Sequence, residues 1–232
     1  MAYSNSGNSF QRTSPIVLNL IIINTLVFMA QYFIYGDVEP NPMTDHFALH
    51  HYKSTYFQSY QLLTHMFMHG GFFHLLFNMF ALWMFGSIIE RTIGTRRFLI
   101  LYFVCGIFAG LAQLGSYAYD FRHADQLVLN PTDYQAYQDI LRTSFAVGAS
   151  GAIMGVLAAF GFLFPNTPLI IIPIPIPIKA KWAILGMISL DVFGGVVKVQ
   201  GDNIAHFDHL GGALMGFLLV LYWNKSNRKT FY

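Results

Sequence analysis

Six apolar runs, broken by polar, proline-bearing or charged stretches, organise the chain. The first covers 15–35, long enough to span a bilayer, because a helix needs about 20 residues for a ~30 Å hydrocarbon core. The others cover 72–90, 98–117, 150–164, 182–195 and 205–223. The pattern predicts an all-α, polytopic membrane protein, a six-transmembrane-helix bundle over 15–224. A polar tail without signal-peptide form is expected at 1–14, and a basic tail at 225–232. Between the runs lie a long loop from Gly36 to about Tyr60 with interfacial aromatics, and a loop at 118–147 with Asp120, Asp125, Asp133 and Asp139 against Arg122 and Arg142. In the connector after 164, Pro168, Pro173, Pro175 and Pro177 alternate with isoleucines, which forbids a regular helix and favours extended backbone. The fourth run is short: 150–164 rises only about 22 Å at ~1.5 Å per residue. It is therefore expected to start below the membrane surface, as a short central helix with a water-filled depression above its first residue.

Charge sets the orientation. Basic residues follow the second run (Arg91, Arg96, Arg97), precede the fifth (Lys179, Lys181) and follow the sixth (Lys225, Arg228, Lys229). With six spans these three places share one side, which the positive-inside rule makes cytoplasmic, so runs two, four and six begin at the exterior. Both termini are then cytoplasmic in a multi-pass protein, with a bacterial inner membrane as the expected setting. Composition agrees with membrane residence: 55% of the 232 residues are hydrophobic, only 10% are charged, and mean hydropathy is +0.48. A net charge of +2 is too small to argue for nucleic acid. The lone Cys105 rules out an intrachain disulfide, and the chain has no C-x-x-C or H-E-x-x-H to suggest a metal site.

Candidate chemistry sits at the heads of runs four, six and two. Run four opens Gly148-Ala149-Ser150-Gly151-Ala152-Ile153-Met154-Gly155. Small residues around Ser150 leave room for a carbonyl, and the unpaired N–H groups of a helix start are ingredients of an oxyanion hole. Gly151 and Gly155, four apart, equally make a helix-packing seam. Run six opens Ala205-His206-Phe207-Asp208-His209-Leu210-Gly211-Gly212, and His209 shares a helical face with Ala205, Gly212 and Gly216. Two glycine faces in contact would bring Ser150 to His209, which would act as its base. Periodicity alone leaves His206 in play, and a packing seam or a transporter's proton relay would use the same residues. Before and into run two, His65, His69, His74 and Asn78 cluster; His74 and Asn78 lie four apart and can both donate hydrogen bonds to an oxyanion. Metal binding by the histidines competes, but no carboxylate or cysteine completes the set.

Together, H-G-G-F-F-H-L-L-F-N in run two, G-A-S-G in run four and A-H-F-D-H-L-G-G-A-L-M-G in run six resemble the rhomboid intramembrane serine proteases, in that family's order, from about Tyr60 to Gly216. The resemblance implies a serine–histidine dyad without a third acid. Ser150 becomes the nucleophile and His209 the base. His74, Asn78 and the Ser150 backbone N–H form the oxyanion hole, and His65 and His69 are structural. It also implies hydrolysis of a peptide bond in the outer part of a transmembrane substrate's span, with no cofactor and no metal, the bilayer and such substrates being the partners. Glu90-Arg91 with Gly94 resembles the family's E-R-x-x-G, whose charges tie helix ends. Two departures stand out: Tyr60-Gln61 replaces a Trp-Arg pair, removing a loop-anchoring charge, and Met154 stands where an aromatic often packs on the catalytic imidazole. A catalytically silent relative would bind transmembrane clients without cutting them, yet both the serine and the histidine are here. A six-helix transporter would show inverted repeats, and none is found. Asp191, in run five, is expected to cap a helix end or bond a loop.

Overall fold

The computed structural model of the chain describes residues 14–36, 38–122, 130–171, 174–197 and 205–226. All of the expected polar tail except Ser14, the basic tail from 227 on, Lys198, Asp202, Asp125 and Pro173 lie outside the described residues.

The first apolar run forms α1, Pro15–Tyr35, with proline in its first turn, where a missing N–H costs nothing. The N–H groups of Ile16 and Val17 donate instead to the buried carboxylate of Glu90, at 3.2 and 3.0 Å. A carboxylate at a helix N-terminus also meets the positive end of the helix dipole, so Glu90 ties α1 to the far end of the second run. That run is built of α4 (Phe72–Ala81), a π-helical turn (Leu82–Gly86) and α5 (Ser87–Ile93). Gly94, at φ +86°, turns the chain into α6, Thr95–Asp120.

The connections hold more structure than their polarity predicts. Between α1 and α4 lie α2 (Pro42–Phe47), β1 (Leu49–His50), α3 (Gln61–Thr64) and a 3₁₀ turn (His65–Phe67). Asn41 caps α2: its side chain accepts from Thr44 N–H, and Thr44 Oγ1 accepts from Asn41 N–H, a reciprocal capping box. The expected loop at 118–147 contains α7, Pro131–Thr143, whose first turn donates to the Asn130 side chain. It ends in β2 (Phe145–Ala146), which pairs antiparallel with β1. The Pro/Ile connector is a hairpin of β3 (Pro168–Ile171) and β4 (Ile174–Lys179). Prolines fit because each strand of a two-stranded sheet has one edge where no N–H is needed. These two small sheets are the departure from an all-α chain. α8 (Ser150–Leu163), α9 (Ala180–Val197) and α10 (His206–Ser226) complete the helices.

The chain is an integral membrane protein. Among the described residues α1, the stretch Phe72–Ile93, α6 and α9 are long and apolar enough to cross a bilayer, and α8 is a shorter apolar helix. Phe33, Phe73, Trp83 and Leu190 on these helices are exposed, as lipid-facing side chains must be. α8 contrasts with them, since every residue from Gly151 to Phe160 is buried, against α6, α9 and α10. A helix apolar all round belongs inside a bundle. Its contact with α10 is backbone on backbone: a Cβ on Gly212 would collide with the Gly151 carbonyl, and one on Gly216 with the Gly155 carbonyl.

Candidate active site

Three elements bring the candidate residues to one end of α8. Ser150 is the first residue of α8, half-buried, and the turn before it is pinned where Gly148 N–H donates to the His65 carbonyl at 2.9 Å. Gly148 has φ +127°, a conformation L side chains rarely adopt. It is also a place of close approach: the point where a Cβ would stand is 2.8 Å from His74 Nε2 and 3.5 Å from Ser150 Oγ, so the His74 ring packs against the Gly148 backbone beside Ser150.

Hydrogen bonding assigns the His74 tautomer. Gly70 N–H donates to His74 Nδ1 across a long 3.4 Å, which makes Nδ1 the acceptor and leaves the proton on Nε2, on the part of the ring that meets Gly148. Asn78, one turn on and buried, donates one amide hydrogen to the His74 carbonyl at 2.9 Å and keeps a second. The His69 ring meets His74 edge to face, with centroids 5.2 Å apart. Burial first, and then the adjacent His74, push the His69 imidazole down to about 3, so it packs as a neutral ring. His65 is fixed by donating from Nδ1 to the Gln61 carbonyl at 2.7 Å, and its Nε2 faces the buried Asp208 at 3.7 Å. Among the described residues no group of three His, Cys, Asp or Glu side chains is arranged to hold a metal ion.

On α10, the glycine seam sets His209 beside the start of α8, close enough to His74 for the two imidazoles to interact electrostatically. Among the described residues no hydrogen bond joins Ser150 Oγ to either imidazole of α10. Both rings turn their Nδ1 to α9: His209 Nδ1 lies 3.0 Å and His206 Nδ1 2.9 Å from Oδ1 of Asp191. His206 additionally presses on α9 at Gly194, where any side chain would overlap its ring. The expectation for Asp191 is thereby corrected. It is neither a helix cap nor a loop tie but a buried acceptor shared by two imidazoles, because α9 passes α10 at the level of its first turn. The one signal in the sequence was its rarity, a carboxylate inside an apolar run.

Two further contacts escape sequence reasoning. Gln61 is fully buried, donating to the carbonyls of His46 (3.1 Å) and Tyr56 (2.8 Å) and accepting from His50 N–H (3.3 Å). A neutral amide thus anchors the first loop. Arg142 of α7 grips Asp45 of α2 in a fork of 2.8 and 2.7 Å, supplying a charge pair between residues 97 apart in sequence.

A family model for the rhomboid domain matches residues 56–226. Over 163 residues the chain is 31% identical to "Rhomboid protein 1, mitochondrial" of Saccharomyces cerevisiae, covering 70% of this chain and 41% of the relative. It is 31% identical over 162 residues to "Putative rhomboid protease YdcA" of Bacillus subtilis, covering 69% and 65% of the two chains. It is also 31% identical over 162 residues to "Presenilin-associated rhomboid-like protein, mitochondrial" of Homo sapiens, covering 69% and 37%. The matched segment spans less than two thirds of each relative. The chain belongs to the rhomboid family.

Proposed function

We propose that this rhomboid is an intramembrane serine endopeptidase that uses Ser150 as nucleophile and His209 as base to cut a peptide bond in the outer part of a substrate's transmembrane segment. The observation that supports it most is the close approach of His74 to Gly148. A reacting carbonyl needs a place about 3 Å from both a nucleophile and its oxyanion donors. With no side chain on Gly148, the protonated Nε2 of His74 stands beside the turn that carries Ser150 Oγ, the two groups such a carbonyl would need.

In the proposed reaction His209 takes the Ser150 hydroxyl proton as Oγ attacks the carbonyl carbon. The oxyanion accepts hydrogen bonds from His74 Nε2, the free amide hydrogen of Asn78 and the Ser150 backbone N–H. As the C–N bond breaks, His209 returns the proton to the leaving amine. Water, deprotonated by the same imidazole, then hydrolyses the serine ester and restores the hydroxyl. No metal or cofactor takes part. A transmembrane helix hides its amides in hydrogen bonds, so the substrate must unwind locally before its carbonyl reaches these groups.

The proposal includes six spans with cytoplasmic termini, which would set the site toward the exterior face, and a bacterial inner membrane as its setting; four of those spans are supported by helices long and apolar enough among the described residues. The relatives named as mitochondrial make a mitochondrial membrane the competing setting. One observation favours a second reading, client binding without cleavage: Ser150 Oγ and His209 are not hydrogen-bonded to one another among the described residues. The test is incubation of the reconstituted protein with single-span substrates beside Ser150→Ala and His209→Ala, with and without chelator. Cleavage by the parent alone, indifferent to chelator, and fluorophosphonate labelling of Ser150 are expected. Binding of substrate with neither cleavage nor labelling would establish the second reading instead.

A further inference from the structure

The site just described treats the base as part of a dyad, yet the imidazole of His209 is not free to choose its tautomer. Its Nδ1 lies 3.0 Å from Asp191 Oδ1, and that carboxylate is buried at 7% exposure. An ionised carboxylate only accepts, so the ring nitrogen facing it must carry the hydrogen. The proton of neutral His209 then sits on Nδ1, and Nε2 keeps the lone pair that a base requires. A buried carboxylate on the far side of an imidazole also stabilises the imidazolium that forms when the serine proton arrives.

His206 completes the arrangement. Its Nδ1 donates to the same Oδ1 at 2.9 Å while its ring fills the space left by Gly194. The carboxylate is thus held between two N–H donors on one helix. Gly194 has no other observed role, and its lack of a side chain is what lets His206 reach Asp191.

We propose that Asp191 is a positioning residue of the active site. Resting on the reading of Ser150 and His209 as the catalytic pair, this assignment makes Asp191 the group that fixes the His209 tautomer and holds its ring, with His206 as the buttress of the carboxylate. It converts a dyad into a three-residue relay of orientation, supplied by α9. Among the described residues the titratable groups that face His209 are Asp191 from α9 and His74 from α4, and His206 on its own helix shares Asp191. Of these only Asp191 brings negative charge to its Nδ1.

The test is steady-state cleavage of a single-span substrate by the full chain in liposomes for the parent, Asp191→Asn, Asp191→Glu and Ser150→Ala. Asp191→Asn keeps the shape and removes the charge. It is expected to lower kcat by about 10²- to 10⁴-fold with little change in KM. Asp191→Glu is expected to recover part of kcat. A purely structural tie between α9 and α10 would lower the denaturation midpoint without this split of kcat from KM. Asp191→Asn with parental kcat overturns the assignment while leaving the protease reading intact, whereas cleavage by Ser150→Ala overturns that reading instead. Histidine ¹⁵N spectra of the parent give a readout that needs neither turnover nor a folded variant. His209 protonated at Nδ1 and bare at Nε2 at neutral pH supports the assignment, and the opposite tautomer overturns it.

Discussion

The α8–α10 seam and the rim of loops above it solve the same problem, holding the head of α8 in place, by opposite means. In the seam no side chain intervenes: Gly151, Gly155, Gly212 and Gly216 bring two backbones into contact, and the fit rests on hydrogen atoms where other residues have carbon. In the rim nearly every tie is a polar side chain. Gln61 joins three backbone groups, Arg142 forks onto Asp45, and Thr64 Oγ1 donates to the Phe47 carbonyl at 2.9 Å. The difference teaches where each device works. Inside a bilayer there is little hydrophobic gain in joining two helices, so close packing of small residues must hold them. At the margin a polar group can be desolvated and satisfied by a specific partner, and sequence-distant loops can be fastened individually.

That comparison can be broken first in the seam. Gly212→Val puts a branched side chain onto the Gly151 carbonyl, a backbone atom that cannot rotate away. The expected loss is at or above the ~3 kcal/mol upper range of overpacking, read as a fall in the denaturation midpoint in detergent, with cleavage lost as well. A stable, active Gly212→Val would mean that the two helices do not need contact.

The rim should yield next, and more mildly. Gln61→Ala leaves two carbonyls and one N–H without their partner in a buried place, for an expected cost of about 3 kcal/mol. Gln61→Glu is a sharper probe, since it keeps an acceptor for His50 N–H but sets an oxygen against two carbonyls. Hydrogen exchange of the His46–Gln61 region is the measurement, and unchanged protection in Gln61→Ala would remove Gln61 as the anchor.

Between seam and rim lies Gly148. Gly148→Ala is expected to cost about 1–3 kcal/mol for its unfavourable backbone conformation. Its effect on cleavage should be far larger than that stability change implies, because the added methyl group would stand 2.8 Å from the His74 ring and push it from its place beside Ser150. Parental turnover in a folded Gly148→Ala protein would show that the position of His74 does not matter to the reaction.

The smallest expected effect is that of Arg142→Ala. Its side chain is 34% exposed, so the fork onto Asp45 is screened by water and is worth about 1 kcal/mol at most. Added salt should shrink even that difference. A shift several times larger would place α7 among the structural ties of the fold rather than at its edge.

Much of this protein is written locally. The apolar runs specify helices because their residues can be buried in lipid or in each other only if the backbone satisfies its own hydrogen bonds, and that rule acts on each segment separately. α1 over Pro15–Tyr35 and the buried α8 follow from length and composition alone. So does the glycine spacing of α8 and α10, since residues four apart must share a helical face. What the local pattern could not contain is any pairing that depends on how the helices are stacked. Asp191 meets His206 and His209 across 15 to 18 residues through a connection outside the described residues, and Arg142 meets Asp45 across 97. A carboxylate's partner is decided by helix azimuth and depth, properties of the whole bundle, and only the tertiary structure sets them. The extended backbone of the Pro/Ile connector was legible, but its pairing into a hairpin and the helix α7 were not, for a related reason: these segments carry weak signals of their own, and a neighbouring strand or a capping Asn130 makes the choice. Sequence thus determined which segments form long apolar helices and which small faces could touch, because those are questions of transfer and periodicity. The tertiary structure alone decided which carboxylate meets which imidazole, because that is a question of position in space.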